Sequence, residues 1–243
     1  CRVLKNCSID MVFACKHIFS LIMLLLVVAT VVAQPKCKVE YFSTENGLSH
    51  QAITSTIKDR EGFMWFGSWD GINRFDGRSF ISFKSFPGDS SQLGNDRIDQ
   101  IVEDQADHLW IMAYDRHVYR FDKKSEQFLP LYNFINHDRK QKITFSRILK
   151  AANGWVWLQA VNEGLYCVPQ KDIKPGSIIA YKKGLAGDHG LPSNEINFFY
   201  EDREKKIWVG TPAGLGCLVP SITGGYKSSN INSPQIADAD YTA

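Results

Sequence analysis

Tryptophan recurs at Trp65, Trp110, Trp157 and Trp208, at intervals of 45, 47 and 51 residues, each time in the same local pattern. A period of that size means one supersecondary unit copied with loop insertions. With the tryptophans superposed, a leucine stands seventeen residues earlier in three copies (Leu48, Leu93, Leu191). A bulky apolar residue stands twelve earlier in all four (Ile53, Ile98, Phe145, Ile196), and Ile57, Val102, Leu149 and Tyr200 stand eight earlier. Six earlier comes an acid, Asp59, Asp104 or Asp202, replaced by Ala151 in the third copy. Three earlier comes a turn-compatible residue, Gly62, Asp107 or Gly154, with Lys205 as the exception. A small residue follows at plus three (Ser68, Ala113, Ala160, Thr211). Then comes a glycine (Gly71, Gly164, Gly214) or Asp115-Arg116-His117, and an apolar Ile72, Val118, Leu165 or Leu215.

The spacing inside a copy predicts strands. Ile53, Ser55 and Ile57 share one side of an extended chain, with Thr54 and Thr56 on the other, the period of two that a strand imposes. Asp59 to Gly62 reads as a tight turn, because a short carboxylate accepts backbone hydrogen bonds and glycine accepts positive φ. Phe63–Gly67, Ile72–Phe75 and Phe80–Phe83 then read as three further strands. No segment has the period of an amphipathic helix. Repeats of 40 to 50 residues made of four strands are blades, so the predicted fold class is all-β, a β-propeller of four-stranded blades with about four repeats present.

A single blade cannot bury both faces of its sheet, and stacking blades solves that. Each tryptophan then buries on the order of 150–250 Å² between sheets. The alternative role for these rings is a stacking platform for sugars. The repeated acids read as turn formers, with metal ligation as the alternative.

Composition narrows the function. Residues 18–33 are an uncharged apolar run after Lys16 and His17, closing Val31-Val32-Ala33. That pattern predicts a signal peptide over 11–33, cleaved before Gln34; a retained N-terminal anchor is the alternative. Residues 1–10, ahead of Met11, read as upstream sequence rather than folded protein. Beyond residue 33 the chain has 25 basic and 25 acidic residues. With no net charge and no basic run, nucleic-acid binding is not expected. Only Cys37, Cys167 and Cys217 remain there, too few for a disulfide framework. A bridge between Cys167 and Cys217 or two free thiols are both compatible with their near-equivalent positions.

The repeat region is expected over 34–220 and a tail without repeat pattern over 221–243. The fourth copy shows no fourth strand after Leu218, which predicts an incomplete propeller belonging to a longer protein.

Several phrases carry a resemblance. They are Asn46-Gly47-Leu48-Ser49, Ile57-x-Asp59-x-x-Gly62-x-x-Trp65-x-Gly67, Gly71-Ile72-Asn73-Arg74-Phe75-Asp76 and Ile207-Trp208-Val209-Gly210-Thr211-x-x-Gly214-Leu215. Together they resemble two-component regulator propeller repeats, over about residues 39 to 218. The resemblance implies the N-terminal part of an extracytoplasmic sensor region of the kind found in hybrid histidine kinases of Bacteroidetes. In that family a signal peptide precedes many repeats, followed by a β-sandwich, a membrane helix and kinase, receiver and DNA-binding modules. It implies a periplasmic location, an inner-membrane parent that works as a homodimer, and an oligosaccharide or other small-molecule ligand read out through phosphorelay. This chain ends before the later domains, and its third copy departs from the pattern at Ala151 and Gln159.

No catalytic residue, metal site or cofactor is expected. Nucleophile elbows, phosphate loops and zinc motifs are absent from the sequence, and His50, His108, His117, His137 and His189 lack metal spacing. The turn between second and third strands varies among copies: Trp69-Asp70, then Tyr114-Asp115-Arg116, then Asn162-Glu163. Variation on a fixed scaffold is where specificity is placed, so these seven residues are the candidate ligand contacts. A secreted propeller enzyme or lectin acting on polysaccharide is the alternative class.

Overall fold

The computed structural model describes residues 16–23, 38–85, 93–135, 143–169, 173–174, 176–185, 187–221 and 225–231. The chain divides into two units, Cys1–Tyr41 and Phe42–Ala243. In the first, residues 16–23 are helical. Among the described residues no helix is long and apolar enough to cross a membrane. The expected leader 1–10, most of the expected signal peptide 11–33, and Cys37 lie outside the described residues.

Among its described residues the second unit contains four antiparallel sheets of four strands, each paired in sequence order. The first holds β1 (Ile53–Lys58), β2 (Met64–Ser68), β3 (Gly71–Phe75) and β4 (Phe80–Phe83). The second holds β5 (Ile98–Glu103), β6 (His108–Ala113), β7 (Val118–Asp122) and β8 (Gln127–Pro130). The third holds β9 (Phe145–Lys150), β10 (Val156–Ala160), β11 (Gly164–Val168) and β12 (Ile179–Tyr181). The fourth holds β13 (Phe198–Glu201), β14 (Ile207–Thr211), β15 (Gly214–Pro220) and β16 (Tyr226–Ile231). These are the blades, and the all-β propeller expectation stands. The last strand corrects the sequence reading. The fourth copy does not stop at Leu218, and the repeat region reaches past residue 220: Tyr226–Ile231 pairs along β15 from Leu215↔Ile231 to Pro220↔Tyr226.

Each tryptophan lies on the second strand of its blade and performs two tasks. Its indole N–H donates to the acid six residues earlier: Trp65 to Asp59 at 2.8 Å, Trp110 to Asp104 at 2.9 Å, Trp208 to Asp202 at 2.7 Å. The other carboxylate oxygen accepts from the backbone N–H of Phe63, His108 and Lys206 respectively, closing the turn between the first two strands. One short acid thereby fixes a turn and satisfies a donor that burial would otherwise orphan. The third copy has Ala151, and the buried Trp157 Nε1 has no partner.

The ring faces the next blade. Trp65 and Ile72 pack with Ile98, Ile101, Leu109, Ile111 and Phe121 of the second blade. Trp110 and Val118 pack with Phe145, Ile148, Val156 and Leu158 of the third. Trp157, Leu165 and Cys167 pack with Ile196, Phe199, Ile207 and Val209 of the fourth. Side chains also join neighbouring inner strands. Ser55 Oγ accepts from the Ile101 N–H at 3.0 Å, and Gln100 exchanges two hydrogen bonds with Ile148, at 2.7 and 2.9 Å. Between the first two blades, Lys123 Nζ lies 3.2 Å from Asp59 and 2.9 Å from Glu103. Its side chain is only 6% exposed, so this charge triad is shielded from solvent.

Opposite each tryptophan on the third strand stand Arg74, Arg120, Cys167 and Cys217. Both cysteines are buried and free. Trp208 is the one repeat tryptophan not fully covered, and Phe198 and Tyr200 on the same sheet face are exposed.

Two predictions follow from this packing. Trp110→Ala removes a wholly enclosed ring and is expected to cost about 3–5 kcal/mol, with Trp208→Ala costing clearly less; chemical denaturation of both variants measures the difference. Asp104→Ala strands a buried indole N–H and is expected to cost about 1–3 kcal/mol, whereas Ala151→Asp supplies the missing acceptor to Trp157 and should gain about 1 kcal/mol. The Asp59 and Asp104 carboxyls sit below the ordinary carboxylate range. Burial opposes their charge, but the Trp65 indole and Lys123 outweigh it at Asp59, and His108 and Trp110 at Asp104. A lowered folded pKa stabilises above the ordinary carboxylate range and is lost as pH falls through the lowered value. The unfolding midpoint should therefore drop on acidification, and drop less steeply in Asp104→Ala.

Candidate functional site

The acid and the variable turn occupy opposite ends of the second strand. In the first blade Ser68 holds the far turn, donating to the Gly71 carbonyl at 3.0 Å and accepting from the Asp70 N–H at 3.1 Å. Thr211 does the same in the fourth blade, with the Gly214 carbonyl and the Ala213 N–H. The middle copies have Ala113 and Ala160 there, and their longer turns run through Arg116 and Asn162 at φ 67° and 55°. Glycine is required at two of these turns. A Cβ on Gly71 would stand 2.3 Å from the Phe83 carbonyl oxygen, and one on Gly164 2.3 Å from that of Tyr181.

The turns of the first three blades are pinned to the segments leading into first strands. Trp69 N–H donates to Ala52 O at 3.3 Å, Gly71 N–H to Asp96 O at 2.6 Å, Tyr114 N–H to Arg97 O at 2.8 Å. Phe145 N–H donates to Arg116 O at 2.8 Å, and Gly164 N–H to Asn194 O at 3.0 Å. The variable turns and the inter-blade connections therefore form one surface.

On that surface the structure brings Trp69 and Tyr114 together through a residue the sequence reading did not single out. The Arg97 guanidinium lies 4.4 Å from the Trp69 ring centroid and 3.9 Å from that of Tyr114. The His50 ring stacks on Trp69 at 5.6 Å and 26°, oriented by the Ala52 N–H donating to its Nδ1. Trp69 and Tyr114 remain 48% and 52% exposed, so their rings face solvent as well as each other's cation. A signal for Arg97 existed. It occupies the position thirteen before the tryptophan, filled by Ala52, Thr144 and Glu195 in the other copies, a variation as wide as that of the turns.

The predicted acids have local duties. Asp70 pairs with Lys84 and Glu163 with Lys182, equivalent bridges in the first and third blades. Asp115 accepts from the His117 N–H at 3.1 Å and lies 3.0 Å from its Nδ1. Arg116 and Asn162 are exposed.

A second concavity lies between the second and third blades, lined by Asp104, His108, Trp110, Arg120, Val156 and Val168. Its cavity of about 20 Å³ has room for roughly one water and excludes a sugar. Among the described residues no group of three His, Cys, Asp or Glu side chains could hold a metal ion. Burial pushes the Cys167 thiol well up from its ordinary value, leaving it an unreactive core residue.

Four-stranded blades stacked through their tryptophans, with variable turns gathered at one end, define a β-propeller fold. Comparison with known proteins gives the repeat type: residues 47–70 and 190–213 match the two component regulator propeller family, and the chain carries repeats of that kind. Over 52 residues it is 35% identical to Histidine kinase P4 of Formosa agariphila, a stretch covering 21% of this chain and 4% of that protein. The chain therefore spans a small part of the length of the curated relative it matches. Among solved structures it is similar to the extracellular domain of a B. thetaiotaomicron protein assigned to the hybrid two component systems. The TM-score is 0.52 at 20% identity, over 82% of this chain and 32% of that one. A further structure of that extracellular domain, assigned to a one component system, gives 0.52 at 20% identity over 76% and 24%. These likenesses establish the fold.

Proposed function

We propose that this chain is a ligand-reading segment of an exported sensor of the two-component type, detecting oligosaccharides and controlling transcription through phosphorelay. The observation that carries it is the contrast between the two ends of each blade. The tryptophan is the same in all four copies and its acid in three, while the other end presents Trp69, Tyr114, Arg116 and Asn162 as different exposed groups on one surface. A scaffold kept constant beneath varied aromatic, amide and cationic groups suits recognition of a hydroxylated ligand. The kinase relative and the extracellular domains of similar fold support the same reading. In it, the domain lies outside the cytoplasm, the parent protein sits in the inner membrane as a homodimer, and ligand binding biases the arrangement of the paired receptors.

Thermal unfolding in the presence of an oligosaccharide panel tests it. A ligand at 100 times its Kd should stabilise the folded chain by about 2.7 kcal/mol, and Tyr114→Ala should abolish that gain while leaving the unliganded midpoint nearly unchanged. No shift with any neutral or acidic oligosaccharide at millimolar concentration would refute the ligand-reading role.

A further inference from the structure

Building on that reading, we propose that Arg97, held between Trp69 and Tyr114, is an anion subsite that takes the carboxylate or sulfate of an acidic oligosaccharide. Two aromatic rings lie against the guanidinium, with centroids 4.4 and 3.9 Å from its central carbon. Its edges are not satisfied. Arg97 makes no side-chain hydrogen bond and no ion pair among the described residues, and its Nε is buried without a partner. A guanidinium offers five in-plane N–H donors. With Nε enclosed, the terminal nitrogens are what a ligand meets, edge-on, in the geometry that a planar or tetrahedral oxyanion fills with paired hydrogen bonds.

The nearby acids do not serve as its counter-ion. Asp70 is bound to Lys84. Asp96, the preceding residue, accepts from the Ser85 N–H at 2.6 Å and the Ser85 hydroxyl at 2.9 Å. Asp115 is engaged by His117. Arg116 adds a second exposed cation just beyond Tyr114, on a left-handed backbone at φ 67°. Asp70, Asp96 and Asp115 are thus committed, while the Arg97 and Arg116 side chains make no hydrogen bond or ion pair among the described residues. Trp69 is taken up by Arg97 and the stacked His50, so the half-exposed Tyr114 ring offers the apolar ground for the C–H face of a sugar, beside the cation.

Calorimetric titration of the full chain with three tetrasaccharides tests the inference: tetragalacturonate, its carboxyl-reduced all-galactose counterpart, and a sulfated galactose tetrasaccharide. At least one acidic probe should bind about tenfold or more tighter than the neutral one, and added salt should weaken that binding more than the neutral one. Arg97→Gln should erase the preference without affecting the neutral probe, and Arg97→Lys, which keeps charge but not the planar fork, should restore it only in part. Which acidic probe prevails distinguishes a uronate from a sulfate ester. Equal binding of acidic and neutral probes by the unaltered chain, or a preference that survives Arg97→Gln, overturns the anion subsite while leaving the oligosaccharide reading intact. Binding of none of the three at millimolar concentration sinks both. The unaltered chain decides the matter even if a variant fails to fold.

Discussion

Burial of the tryptophan ring between successive blades is the constraint on which the other features rest, and in three of the four blades a hydrogen bond to an acid accompanies the tryptophan. The indole has to leave water to fill the space between sheets, and its N–H has to leave with it. An acid six residues earlier resolves that conflict within the blade, since its second oxygen also accepts the backbone N–H that closes the intervening turn. The third copy shows which half matters more. Ala151 leaves the Trp157 N–H without a partner, yet the ring stays buried against Tyr226 at 4.9 Å and Tyr181 at 5.5 Å. Ring burial is retained when the hydrogen bond is lost. This ordering agrees with the size of the two terms, several kcal/mol for the ring against about 1–3 for the stranded donor.

The turn beyond the far end of the second strand stands apart from this packing, for Trp69, Tyr114, Arg116 and Asn162 are exposed there. At that end, turns held by Ser68 or Thr211 coexist with longer turns that use left-handed Arg116 or Asn162. Sequence change there alters what is presented to solvent without disturbing the sheet beneath. Backbone hydrogen bonds to the inter-blade connections keep the tips in place. A rigid base with varied tips suits the proposed recognition surface, whereas the concavity at Asp104 and His108 has room for roughly one water.

The sequence made the blades legible because their cause is local and repeated. A tryptophan with its acid, a glycine turn and apolar residues at fixed offsets all fall within one copy. Two features escaped because their cause is not local. The strand at Tyr226–Ile231 has no repeat signature of its own. It is specified by pairing along β15 and by Tyr226, which folds onto Trp157 of the preceding blade and accepts from the Tyr181 hydroxyl through its carbonyl oxygen at 3.1 Å. Arg97 escaped for a similar reason. Its importance comes from two aromatic residues 28 positions before and 17 after it, joined only when the first two blades meet. The varied turns were visible in the sequence, whereas the cation that ties two of them together was not.

That junction is built differently at its two ends, and the difference bears on binding. At the acid end, Lys123 of the second blade reaches Asp59 of the first and Glu103 of its own, in a setting where solvent screens little. At the turn end, Arg97 from the connection into the second blade inserts between Trp69 of the first and Tyr114 of the second. The charge triad and the inter-blade core set the spacing of the two sheets, and the ladder inherits it. Rings and guanidinium are then placed before any ligand arrives, so an incoming group has few side chains left to order. Ordering costs are what separate contact area from affinity. Under the proposed anion subsite, Arg97 with Trp69 and Tyr114 at a clamped junction would bind more tightly than the same residues on a free loop.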